Sequence, residues 1–167
     1  MSENKEYVRG RFGNILNYKQ APTQRWEWPG DRYGATGYEV ARTIDAKDLG
    51  FSVVSLDPGK RSCPYHFHHS EEEMFFVLEG RALLRQGDTE NEEQIEVSAG
   101  DFISFPAGTE IAHQFSNTSD GPFVYLALSN IVPGDVCEYP DSDKILVRKT
   151  RMILRREPKL EYFDGEV

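Results

Sequence analysis

The sequence predicts an all-β protein built as one barrel domain. Three observations carry that prediction. Short apolar segments recur between glycine, proline and acidic turns. Two glycine-punctuated segments each bring histidine to a candidate strand. At 167 residues the chain is the size of one barrel and buries about two-thirds of the surface it would expose unfolded, so no second core is needed.

Taken in order, the candidate strands are FSVVSL from Phe51, MFFVL from Met74, ALLR from Ala82, QIEV from Gln94, DFISF from Asp101, HQF from His113 and FVYLAL from Phe123. Ahead of them, RWEWPGDRYG from Arg25 to Gly34 is an aromatic cluster whose Trp26 and Trp28 either cover the core or line the barrel mouth, covering being the simpler role. MFFVL is apolar at every position, which asks for cover on both faces of that strand. The barrel interior supplies one cover and a subunit interface the other, so a homodimer is expected. GDTENEEQ from Gly87 to Gln94 is polar enough to need no role beyond closing a hairpin. CEYPDSDK from Cys137 to Lys144 has the turn residues of a loop that could close over a ligand. VRKTRMILRREPK, from Val147, is basic in an acidic chain; it suits an edge strand with charged neighbours better than a phosphate site.

The chemistry concentrates in GKRSCPYHFHHSEEEMFFVLEG, from Gly59 to Gly80, and GDFISFPAGTEIAHQFSN, from Gly100 to Asn117. On a strand, alternate side chains share a face, so His66 and His68 project together. A turn through His69 and Ser70 returns the chain with Glu73 near the paired imidazoles, and His113 comes from a distant strand. A lone histidine in a strand is ordinarily a hydrogen-bonded or surface residue. Here three of the four histidines fall in the two segments at positions that can converge. Glu71 and Glu72 read as a solvated turn. Glu73 differs because it shares strand parity with Phe75 and Val77. Imidazole and carboxylate together suit a divalent transition metal rather than calcium or magnesium, with Mn, Fe, Ni, Cu and Zn all open.

These segments resemble the two motifs of the cupin superfamily. The first, G-x5-H-x-H-x3or4-E-x6-G, is matched by Gly59, His66, His68, Glu73 and Gly80, with six residues before the first histidine. The second, G-x5-P-x-G-x2-H-x3-N, is matched by Gly100, Pro106, Gly108, His113 and Asn117, with four residues between Gly108 and His113 that a bulge or wider turn can absorb. The resemblance implies a double-stranded β-helix, or jelly-roll, over about residues 48–130, with an N-terminal extension over 1–47 and a C-terminal one over 131–167. It also implies a metal held by His66, His68, Glu73 and His113. The small single-domain cupins that this chain resembles are often labelled as sugar-phosphate isomerases, and that label rests on fold analogy.

Charge and composition exclude other classes. A net charge of -9 disfavours a phosphate backbone as partner. No apolar run reaches the length of a membrane span or secretory h-region, so a cytoplasmic protein is expected, with Cys63 and Cys137 reduced. Three imidazoles and one carboxylate leave a six-coordinate ion two positions for adjacent substrate oxygens. Such an ion polarises a carbonyl, stabilises an enediolate, or binds dioxygen if redox active. The expected function is isomerisation of a sugar or sugar phosphate. The alternatives are a small-molecule sensor without turnover and a metal-dependent dioxygenase. No general base declares itself; Glu79, Tyr65 and His69 are weak candidates, and Cys63 is near enough in sequence to become a ligand or reactive thiolate.

Overall fold

The computed structural model describes residues 8–11, 14–28 and 30–167. The first seven residues of the N-terminal extension and Pro29 of the aromatic cluster lie outside that range. The strands are β1 (Thr23–Glu27), β2 (Gly34–Tyr38), β3 (Leu49–Leu56), β4 (Phe67–His68), β5 (Glu73–Glu79), β6 (Arg81–Gly87), β7 (Glu92–Ser98), β8 (Phe102–Phe105), β9 (Ala112–Ser116), β10 (Phe123–Asn130), β11 (Val136–Tyr139), β12 (Lys144–Val147) and β13 (Met152–Arg155). A single helical turn, α1 (Val40–Thr43), joins β2 to β3. Every segment expected to be a strand from Phe51 to Leu128 is one.

One layer is a six-stranded sheet in the order β1-β2-β3-β10-β5-β8. The other consists of two part-sheets, β7-β6-β9 and β13-β12-β11-β4, which meet where His66 bridges His113. All strand pairings are antiparallel. Sequence alternation explains what lies between the layers. Val54 and Leu56 of β3, Phe75 and Val77 of β5, Ala82 and Leu84 of β6, Phe115 of β9, and Phe123 and Tyr125 of β10 point into a common core. Each large apolar side chain so buried contributes about 1.5–3 kcal/mol. This is an all-β jelly-roll barrel.

The outer face of β5 is open in the single chain, the face for which a subunit interface was expected. Phe75 and Val77 are buried as predicted, but Met74 and Leu78 are exposed in the single chain. Phe76 stacks on Phe102 of β8 at 4.3 Å, and Phe102 is 72% exposed. One face of MFFVL is therefore covered by the barrel, and the other is not covered within the chain.

The β5 strand does not stay regular to its end. Its pairing with β10 shifts between Val124 and Tyr125, with Glu79 opposite Val124 and Val77 opposite Tyr125, so that Leu78 is the extra residue of a bulge. Gly80 then turns the chain into β6 with φ +81°, at a position where a Cβ would strike the Pro122 carbonyl oxygen. Asp88 closes the β6–β7 hairpin by accepting from the backbone N–H groups of Glu90 and Asn91, as the loop's polarity suggested.

The extensions also differ in part from their reading. Trp26 packs against the core over Gly37, where an added Cβ would lie 2.5 Å from its ring, whereas Trp28 is exposed. CEYPDSDK is not a loop throughout. Its first three residues lie in β11, which pairs with β12 and, through Cys137 opposite His68, with β4. The basic segment forms the edge strand β13, as expected. No described helix is long and apolar enough to cross a membrane.

Candidate metal centre

The four residues expected to bind metal come from three separate places in the fold and meet inside the barrel. His66 stands just before β4 and exchanges backbone hydrogen bonds with His113 of β9. His68 lies in β4, and Glu73 opens β5. Around Glu73 Oε2 lie His113 Nε2 at 3.1 Å, His68 Nε2 at 3.6 Å and His66 Nε2 at 3.9 Å. Parity accounts for His66 and His68 on either side of Phe67 and for Glu73 above Phe75. The longer gap before His113 is taken up by a wide turn in which Gly108 (φ +74°) and Glu110 (φ +56°) are left-handed and Thr109 Oγ1 donates to the Pro106 carbonyl.

The local environment leaves donor atoms bare. The His113 ring is stacked on Phe105 with centroids 4.0 Å apart and meets the edge of Phe75. Neither of its nitrogens, nor Glu73 Oε2, has a satisfied hydrogen bond although all three are buried, and Nε2 and Oε2 stand 3.1 Å apart as an ion-pair contact. Burial without a partner costs roughly 1–3 kcal/mol for each such group, so this is not an arrangement the fold would keep for its own stability. An ion ligated by these atoms would relieve it.

Electrostatics set the same groups in ligating form. Burial pushes the His113 imidazole down to about 4 despite Glu73 beside it, leaving it neutral at pH 7. For Glu73, burial opposes ionisation, but His113, His66 and His68 outweigh it and hold the carboxyl at about 2. His66 is oriented by Nδ1, which donates to the Pro64 carbonyl at 2.8 Å and leaves Nε2 free. Beside the cluster is a small cavity walled by Phe67, Phe105, Pro106, Thr109 and Ile111.

The C-terminal extension adds residues that the motifs did not point to. Asp135, fully buried, approaches His68 Nδ1 at 2.6 Å. Glu71 is not solvated but buried, accepting from Arg148 at 2.6 Å and from the Val132 backbone N–H. Burial raises its carboxyl above the ordinary range against those bonds. Cys137 has its sulfur within 4.8 Å of ring nitrogens of His66 and His68, and Tyr139 stacks over His66. Nothing in the local sequence of GDVCEY announces these roles, since they depend on β11 pairing with β4.

The weaker base candidates are not brought together with the cluster. Glu79 is turned out by the β5 bulge. Tyr65 donates to the Gly87 carbonyl beneath Arg85. His69 pairs with Glu138 at 2.8 Å. Cys63 lies 3.6 Å from His66 Nδ1, but burial pushes its thiol up to about 12, the opposite of a reactive thiolate.

Residues 52–129, which carry the H-x-H, the strand-borne glutamate and the facing-strand histidine of this jelly-roll barrel, match the family model described as the cupin domain. The chain is also similar to proteins described as sugar phosphate isomerases. It is 26% identical over 134 residues to a glucose-6-phosphate isomerase of Thermococcus litoralis, covering 73% of this chain and 70% of that protein. A solved structure from Acidithiobacillus ferrooxidans, described as a candidate sugar phosphate isomerase, superposes with a TM-score of 0.70 at 28% identity, over 77% of this chain and 80% of that one. A cupin from Silicibacter pomeroyi, described as a sugar phosphate isomerase, superposes with a TM-score of 0.71 at 24% identity, over 90% and 98%; at that identity it supports the fold.

Proposed function

We propose that the chain is a metal-dependent isomerase of a sugar or sugar phosphate, with His66, His68, Glu73 and His113 holding one divalent transition metal. The observation that carries the reading is the convergence of three imidazoles on Glu73 Oε2 with buried, unpartnered donor atoms at its centre. Mn, Fe, Ni, Cu and Zn all suit such a donor set. When bound, the metal supplies Lewis acidity toward a substrate carbonyl and the enediolate that follows from proton transfer. The chain's own part is to hold and orient the donors. Phe105 fixes His113 from one face, the Pro64 carbonyl turns His66, and Phe67, Phe105 and Ile111 give the adjoining cavity apolar walls. The relatives described as sugar phosphate isomerases support the substrate class.

On this reading the barrel and both extensions act as one unit, because β2 pairs with β3 and β11 pairs with β4. The working form is a homodimer that covers the outer face of β8, β5 and β10, where Phe102, Phe76 and Leu126 stand in one cross-strand row. We keep the cytoplasm as the compartment, which suits free thiols at Cys63 and Cys137. Size exclusion with light scattering at micromolar concentration is expected to give twice the chain mass. A monomer there removes the dimer.

The activity is tested by loading the purified protein with each of the five metals in turn and following glucose 6-phosphate in D2O by NMR. Aldose–ketose interconversion, with deuterium entering the carbon next to the carbonyl and dependent on metal, is the expected result. Tight binding with no product would favour a sensor, and dioxygen uptake an oxygenase; either outcome overturns the isomerase.

A further inference from the structure

Outside the residues that match the cupin domain, Asp135 sits between β10 and β11, fully buried, with both carboxylate oxygens engaged. Oδ1 accepts from the backbone N–H groups of Ser70, at 2.9 Å, and Glu71, at 3.2 Å. Those residues form the turn that carries the chain from His68 to Glu73. Oδ2 lies 2.6 Å from His68 Nδ1. Asp135 is itself fixed from behind, its N–H donating to the Val132 carbonyl and its carbonyl accepting from the Arg148 N–H.

An ionised carboxylate only accepts hydrogen bonds, so the proton in the 2.6 Å contact belongs to His68 Nδ1. With two backbone N–H groups pointed at Oδ1 and the ring at Oδ2, both oxygens of Asp135 stand as acceptors, the arrangement a carboxylate fills. In the neutral ring the remaining nitrogen, Nε2, then carries a free lone pair, and it is Nε2 that faces Glu73 Oε2 at 3.6 Å.

We infer that Asp135 is a positioning residue: it holds His68 in the Nδ1-protonated tautomer and anchors the turn to Glu73, so that the C-terminal extension aims two of the four candidate ligands. The inference rests on the metal reading for its purpose, but not for its geometry.

Asp135→Asn separates the two. The amide is the same shape, yet Ser70 and Glu71 still present N–H groups that demand an acceptor at Oδ1. The amide NH2 must therefore face His68. His68 can meet it only by accepting on Nδ1, which moves the ring proton to Nε2 and blocks the atom a metal would use.

The experiment is long-range 1H–15N NMR of the imidazoles in metal-free protein, with His68→Gln used to identify the His68 signals, followed by zinc titration of wild type and Asp135→Asn. Wild type is expected to show a protonated Nδ1 and a bare Nε2 on His68, and the variant the reverse, with zinc affinity reduced about 10- to 100-fold. An unchanged tautomer and unchanged zinc affinity in the variant would overturn the inference. Should the variant not fold, the wild-type spectrum decides alone, because a His68 without a proton on Nδ1 contradicts the proposal. A wild type that takes up no metal but exchanges tautomer as described would sink the metal reading and leave the role of Asp135 standing.

Discussion

His66→Ala and His113→Ala are expected to emerge from purification folded but without metal. Each removes one of the nitrogens gathered within 3.9 Å of Glu73 Oε2. The affinity loss should exceed the roughly 10- to 100-fold that outer partners of a ligand typically carry. Glu73→Gln should weaken binding through charge rather than shape, since the amide keeps the side chain's volume. Loss of metal has a thermodynamic echo: an ion present at 100 times its dissociation constant stabilises the native state by about 2.7 kcal/mol, and the variants should forfeit that increment. The barrel itself should survive, because the core around Phe75, Phe115 and Tyr125 does not depend on these groups. Elemental analysis beside a thermal melt checks both parts. Unchanged metal content in all three variants would refute the ligand assignment.

Metal-free protein is expected to lose stability steeply as the pH falls from about 6.5 to about 4, the interval between the ordinary and the buried value of His113. Within it the unfolded state carries a proton on that imidazole and the native state does not. Unfolding is therefore favoured increasingly as pH falls, and stability rises with pH across the same window. The displacement amounts to about 3 kcal/mol over the interval. Glu73 acts in the same direction lower down. Its native carboxyl titrates near 2 rather than 4.5, so the stability it contributes is complete above 4.5 and is lost as pH falls toward 2. Urea unfolding of chelator-treated protein at a series of pH values would trace this, and His113→Gln should flatten the upper part. A slope that His113→Gln leaves intact would mean that this imidazole is not the group being forced neutral.

Much of this was legible in the sequence, and the limits are physical. Strand alternation read Phe75 and Val77 inward and carried Glu73 with them. The H-x-H spacing put His66 and His68 together, while the four residues between Gly108 and His113 exceeded the motif and asked for a bulge or wider turn. Glu79, a weak candidate that depended on β5 staying regular, drops out because the bulge at Leu78 resets parity. The acidic run could not reveal that Glu71 is buried and Glu72 exposed, since that depends on Arg148 arriving from a hairpin 77 residues later. Asp135 was invisible for the same reason. Long-range strand pairing leaves no local periodicity at the residue that profits from it.

The shortness of β4 has a consequence beyond the site's geometry. This two-residue strand is held on one side by the lone His66–His113 bridge and on the other by β11, so the histidine pair sits in the seam between two part-sheets. Donors from the middle of the chain are trued by its far end. The stretch that matches the cupin domain, 52–129, contains all four candidate donors, while the support for His68 and for the turn to Glu73 comes from outside it. Changes in the β11–β13 hairpin can thus retune the centre without touching a single ligand, which gives a barrel of common pattern a separate lever on its chemistry.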